Sequence, residues 1–213
     1  MANLTGTNAH QAAALRPSCN DEPMTDAPAP ILVVTGPSGA GKTTVGRLVA
    51  ASFALSAHIK TDDFTPFFLN GWVAPWLPES EHQNHVHGAA VAAAAMEFAE
   101  GGYTVVLDGH IFPDGLDGLT PRSARRAVPL HYAVLRTDLA TCLNRARQRR
   151  PADVDDADDA ESFALQHARF ADLGEREANV VDATGTPEQV AAALLVAFSS
   201  GALMVVPPAV FPH

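Results

Sequence analysis

The chain has 213 residues, enough for one α/β domain of ordinary size with additions at its ends, and 47% hydrophobic with 18% charged residues excludes a wholly disordered chain. The 24 acidic residues against 14 basic ones leave a net charge of -10, so the surface as a whole repels nucleic-acid backbones and anionic lipid. Only Cys19 and Cys142 occur, without CxxC spacing, which argues against a disulfide framework or thiolate metal centre and suits a reducing, cytoplasmic setting.

Residues 1–29 mix Ala, Asn, Pro and acids without a basic start or apolar core, and read as a flexible leader. Ile31 to Val34 is short, β-branched and followed by glycines, the pattern of a strand buried on both faces of a parallel sheet. The spacing of Val45, Leu48, Val49 and Phe53 predicts a helix over 43–55. A second strand over 58–61 ends at Asp62-Asp63, and a connection rich in Pro, Trp and Phe runs to Pro78. Ser80 is the expected cap of a helix reaching Glu100, stopped by Gly101-Gly102. A third strand over 103–107 ends at Asp108-Gly109, and 111–129 reads as irregular with one helical turn near Arg122.

The fourth strand is expected over 131–135, and helices over 138–150 and 160–173 flank an acidic, mobile lid at about 149–160. A fifth strand over 179–182 precedes a helix from Pro187 to Phe198, and 199–213 is left as a tail. The domain therefore spans 30–198. Strands alternating with helices over this length imply a parallel sheet covered on both faces, an α/β architecture.

Between the first strand and first helix lies Gly36-Pro37-Ser38-Gly39-Ala40-Gly41-Lys42-Thr43, a match to GxxxxGK[ST] in the strand-to-helix context that the motif needs. Backbone N–H groups of such a loop curl around a β-phosphate, Lys42 reaches the β- and γ-phosphates, and the Thr43 hydroxyl ligates Mg²⁺. Gly36 through Thr44 are the candidate nucleotide-binding residues, with ATP the expected nucleotide.

Ligands of such sheets gather at the carboxyl ends of the strands, where Asp62, Asp63 and Asp108 fall. Phosphoryl transfer to a hydroxyl needs one carboxylate to accept the proton and another to help hold Mg²⁺. Asp62 and Asp63 are candidates for the first task and Asp108 for the second, the bland alternatives being a turn or helix cap for the pair and an Asp-Gly turn for Asp108. Arg145 and Arg149 lie one turn apart on one helix face and suit a triphosphate clamp, or simply a helix C-terminus paired with the acids beyond it. His82, His85 and His87 find no acidic or Cys partner at a metal-binding spacing and are set aside.

Taken together, these motifs resemble the P-loop small-molecule kinases grouped around chloramphenicol phosphotransferase, with zeta-toxin kinases and the kinase domain of polynucleotide kinase more distant, over roughly residues 30–198. The resemblance implies a P-loop NTPase three-layer fold with a five-stranded parallel sheet in the order 2-3-1-4-5. It implies Asp62 as general base with Asp63 supporting it, Arg145 and Arg149 closing over ATP, and Val181 to Gly185, with Thr184, beside the adenine. The acceptor side of similar kinases is lined by the stretch from Lys60 to Arg122, which here holds no Lys or Arg between those two residues. It offers instead Glu79, Glu81, Asp114 and Asp117 with Phe67, Phe68, Trp72 and Trp76. The expected activity is transfer of the γ-phosphoryl group of ATP to a hydroxyl of a neutral or cationic small molecule, an antibiotic among the candidates. A nucleoside or polynucleotide 5'-hydroxyl kinase and a non-catalytic nucleotide switch are the alternatives. Neither nucleic acid nor membrane is an expected partner.

Overall fold

Ile31–Thr35 (β1) is buried along its whole length, and its side chains divide between two cores. Ile31 and Val33 face one side, Leu32 and Val34 the other, the period of two that a strand imposes. Burying each such side chain contributes about 1.5–3 kcal/mol, so the strand that carries the glycine-rich loop at its end is held from both faces. The computed structural model describes residues 27–148 and 157–208, the side chains of 157–162 excepted.

Beside β1 run Ser56–Lys60 (β2), Thr104–Asp108 (β3), Leu130–Arg136 (β4) and Val180–Asp182 (β5), all parallel and ordered β2-β3-β1-β4-β5. Lys42–Ala50 (α1) and Pro187–Ser199 (α6) cover one face, where Val45, Val49, Val190 and Leu194 pack on Val106 and Leu135. Glu81–Glu100 (α2) lays Val91, Ala95, Met96 and Ala99 on the opposite face, which also receives Phe170. Thr120–Arg126 (α3), Leu139–Arg147 (α4) and Ala157–Arg169 (α5) complete the helices. None of the helices among the described residues is long and apolar enough to cross a membrane.

The expected tail contains a sixth strand, Met204–Val206 (β6), antiparallel to the start of β4 at Leu130 and His131, with Leu203 buried beside it. β5 pairs only with the far end of β4, from Val134 onward, so the near end is left for β6. The first helix ends at Ala50 rather than Leu55, where the Ser52 hydroxyl donates to the Val49 carbonyl at 2.7 Å and competes with helix continuation. Ser80 precedes α2 but does not cap it: its hydroxyl is turned back toward the Pro75 and Leu77 carbonyls, and its Oγ accepts from Asn84 Nδ2 at 2.9 Å instead of from a helix N–H. The segment expected to be irregular holds a 3-10 turn over Pro113–Gly118 and then α3. α5 begins at Ala157, inside the acidic run expected as lid, and the rest of that lid, Arg149 included, lies outside the described residues. The proposed leader falls outside them up to residue 26, whereas the Ala29 N–H is tied to the Ala99 carbonyl at 2.9 Å.

On β4, His131 is 4% exposed, its ring lies 4.4 Å from that of Phe198, and its Nδ1 is buried without a hydrogen-bond partner. Burial lowers its pKa below the ordinary 6.5. The unfolded chain takes up this proton as pH falls through 6.5 and the folded chain does not, so stability is full above 6.5 and drops below it. Within that window the loss is at most about 1.4 kcal/mol per pH unit from this group. Thermal melts at about pH 8 and about pH 5.5 should show a drop in the parent and a smaller one in His131→Leu; equal drops in both would refute the assignment.

Candidate active site

The loop between β1 and α1 is pressed against the end of β4 and against α4. A Cβ at Gly39, whose φ is +82°, would run into the Cys142 carbonyl, and one at Gly36 into the Leu135 backbone. Lys42 opens α1 and is half-buried. Its Nζ donates to the carbonyls of Gly36 at 2.9 Å and Pro37 at 3.1 Å, and lies 3.1 Å from His110 Nε2. Thr44 follows in the same turn, and the helix's N-terminal N–H groups face the loop, the arrangement that favours an anion.

At the end of β3, Asp108 is 4% exposed and meets two partners. Thr43 Oγ1 donates to Oδ1 at 3.3 Å, and His58 Nε2 from β2 lies 3.1 Å from Oδ2. A threonine hydroxyl and a carboxylate held together are hard oxygen donors of the kind Mg²⁺ takes, the remaining positions being water and substrate phosphate. The donor set fits the ion. No group of three or more His, Cys, Asp or Glu that would hold a metal by itself occurs among the described residues. Of the three histidines set aside, His87 lies 3.1 Å from the Thr61 carbonyl and against the Phe68 ring.

Asp62 and Asp63 occupy the first turn of a 3-10 segment over Thr61–Phe67, which begins where β2 ends. The turn sends them different ways. Asp62 lines a cavity of about 890 Å³ and accepts from Thr61 Oγ1 at 3.4 Å, whereas Asp63 is bound to Lys60 at 2.6 Å. The same cavity is bordered by His110 at its phosphate-loop side and by Trp72 and Trp76 from the aromatic connection. Asp114, Asp117, Arg122 and Arg169 also line it. Arg122 donates to the Gly118 carbonyl at 2.6 Å, and the Arg169 guanidinium lies 3.4 Å over Phe112 with Asp114 3.9 Å away.

The connection after β3 is fixed by its neighbours. The Ile111 N–H donates to Thr35 Oγ1 at 3.0 Å, and the buried Tyr132 hydroxyl donates to the Ile111 carbonyl at 2.9 Å. Phe112 stacks on Phe170, ring centroids 4.5 Å apart. Arg136, paired through both nitrogens with Glu177, also donates to the Phe170 and Ala171 carbonyls and so holds the end of α5 in place. From α5, Gln166 reaches the phosphate loop, accepting from Ser38 Oγ at 2.8 Å. His110 is exposed at the cavity, yet the protein that crowds its ring and displaces water from it, followed by the nearby Lys42 ammonium, pushes its pKa down to about 4.

Arg145 donates to the Ala183 carbonyl at 2.9 Å and approaches those of Thr184 and Gly185, so its guanidinium is engaged with the segment expected beside the base. Thr184 closes a local turn on Asp182 through its N–H and hydroxyl. A family model described as an AAA domain matches residues 31–173, with the phosphate loop and Asp108 inside the match. The chain belongs to that family.

Solved structures of P-loop kinase fold superimpose on this chain. A gluconokinase from Sinorhizobium meliloti 1021 shares 18% identity at a TM-score of 0.60, over 82% of this chain and 94% of that one. The tunicamycin resistance protein of Deinococcus radiodurans shares 19% at 0.56, over 84% and 99%. A shikimate kinase from Acinetobacter baumannii, solved with shikimate, shares 18% at 0.56, over 81% and 94%. No curated protein matches the chain. At these identities the likeness is one of fold. In this AAA-domain chain four site residues escape the sequence motifs: His58, His110, Gln166 and Arg169. Only His110, two residues beyond Asp108, carries a positional signal.

Proposed function

We propose that the protein is an ATP-dependent phosphotransferase that moves the γ-phosphoryl group to a hydroxyl of a small neutral or cationic molecule in the cytoplasm. One observation carries the reading: Asp62 and His110 border one cavity, and His110 lies 3.1 Å from Lys42, so a single side chain joins the cavity that holds the carboxylate to the phosphate lysine. A nucleotide switch needs no carboxylate across such a space. The loop amides and Lys42 bind and orient the triphosphate, and Asp62 accepts the proton of the attacking hydroxyl as the O–P bond forms and ADP leaves. Thr43 and Asp108 would hold Mg²⁺, which would supply charge to neutralise the triphosphate. Arg145 serves by fixing the Ala183 to Gly185 segment.

Three carboxylates, Asp62, Asp114 and Asp117, face two guanidinium groups in the lining, a net of -1. Arg169 is already engaged with Phe112 and Asp114, and Arg122 with a carbonyl, which weighs against an anionic acceptor. Trp72 and Trp76 favour a guest with an apolar or planar part, such as an aminocyclitol, a chloramphenicol-like alcohol or a nucleoside. Coupled ATP-consumption assays with neutral, amino and anionic alcohols at equal concentration test this. Saturable turnover is expected for a neutral or amino alcohol; turnover of gluconate or a nucleoside monophosphate alone would overturn the acceptor class.

A further inference from the structure

We infer that His110 is a γ-phosphoryl contact, a residue of the transfer site that distinguishes ATP from ADP. The inference rests on the kinase reading of the phosphate loop and deepens it. His110 Nε2 lies 3.1 Å from Lys42 Nζ and 3.2 Å from Ser38 Oγ, on the side of the loop that opens into the cavity bordered by Asp62. Lys42 also donates to the Gly36 and Pro37 carbonyls, which fix the stem of the ammonium within the loop. His110 thus occupies a direction in which the lysine can reach a phosphate oxygen, toward the acceptor.

The geometry also sets the ring's chemistry. An ammonium has no lone pair, so Nε2 must accept from Lys42, and the imidazole is neutral with its single proton on Nδ1. Toward a phosphate oxygen, which can only accept, the same ring donates from Nε2 once that proton sits there, with no change in net charge. Ser38 does not compete as donor, since its hydroxyl proton is directed to Gln166 Oε1 at 2.8 Å. The ring is held in position by its neighbour. Ile111 is pinned at its N–H by Thr35 and at its carbonyl by Tyr132, and Phe112 is stacked on Phe170. A ring placed in this way before ATP arrives loses little entropy on binding it.

The loop amides reach the β-phosphate and Lys42 both the β- and γ-phosphates, whereas His110 stands on the cavity side of the lysine, toward the acceptor. His110→Ala should therefore weaken a ligand with a γ-phosphate and spare one without it. The test is isothermal titration of the full chain, with Mg²⁺ present, using the non-hydrolysable ATP analogue AMP-PNP and separately ADP. His110→Ala is expected to raise the Kd for AMP-PNP roughly tenfold or more and leave that for ADP within about twofold, as for a hydrogen bond to a charged group. His110→Gln, which keeps a side-chain donor, should recover part of the AMP-PNP affinity, and it carries the same comparison if the alanine variant does not fold. Equal weakening of both nucleotides would show that the histidine acts only through the shape of the loop, and no weakening of either would show that it touches no phosphate; both overturn the inference alone. A parent chain that bound neither nucleotide would overturn the kinase reading and the inference with it.

Discussion

Lys42→Ala is expected to lower kcat by roughly a hundredfold or more while the chain remains folded, since removing a preorganised charge at a transferring phosphoryl group costs about 3 kcal/mol or more of transition-state stabilisation. The structural cost is small by comparison. Lys42 is half-buried at the start of α1 and belongs to neither apolar core, its contacts including two loop carbonyls and His110. The Gly36 and Pro37 carbonyls lose a donor, so a shift of a few degrees in Tm is expected, within what one lost hydrogen bond of about 1 kcal/mol produces. Single-turnover rates and a thermal melt on the same preparation check both halves. A variant that transfers phosphate at the parental rate would remove the loop from the chemistry, and one that fails to fold would mean that the lysine holds the loop together.

The phosphate loop was legible in the sequence because its chemistry is contiguous: eight successive residues supply the turn glycines, the lysine and the hydroxyl. β1 was legible for a similar reason, since a run buried on both faces needs no alternation and Ile31 to Val34 shows none. β6 was not, because three residues in a tail become a strand only when β5 is too short to cover β4. Ser80 illustrates a local rule overridden by local competition, its Oγ accepting from the Asn84 amide rather than from a helix N–H. Gln166 and Arg169 lie on a helix far from the loop in sequence and reach the site through the packing of Phe170 on Phe112, which periodicity does not reveal. Arg145 had the right spacing for a clamp, yet three carbonyls of one turn take its guanidinium.

The choice between Asp62 and Asp63 was likewise open in the sequence, since two adjacent carboxylates have identical spacing to everything else. A 3-10 turn separates adjacent side chains by roughly a third of a revolution, so only one of the pair can face the cavity. That one is Asp62, whereas Asp63 is held by the Lys60 ammonium at 2.6 Å on an exposed surface. Asp62→Asn is therefore expected to lower the single-turnover rate roughly a hundredfold, within the range by which a positioned general base accelerates transfer, because the amide keeps the shape but accepts no proton. The Kd for ATP should stay close to parental, since the Lys42 and Thr43 contacts are untouched. Asp63→Asn removes only an exposed, solvent-screened ion pair and should change the rate by less than threefold. Rates measured side by side under saturating ATP decide the assignment: the reverse order would make Asp63 the base after rearrangement of the turn, and near-parental rates in both would end base catalysis by either carboxylate.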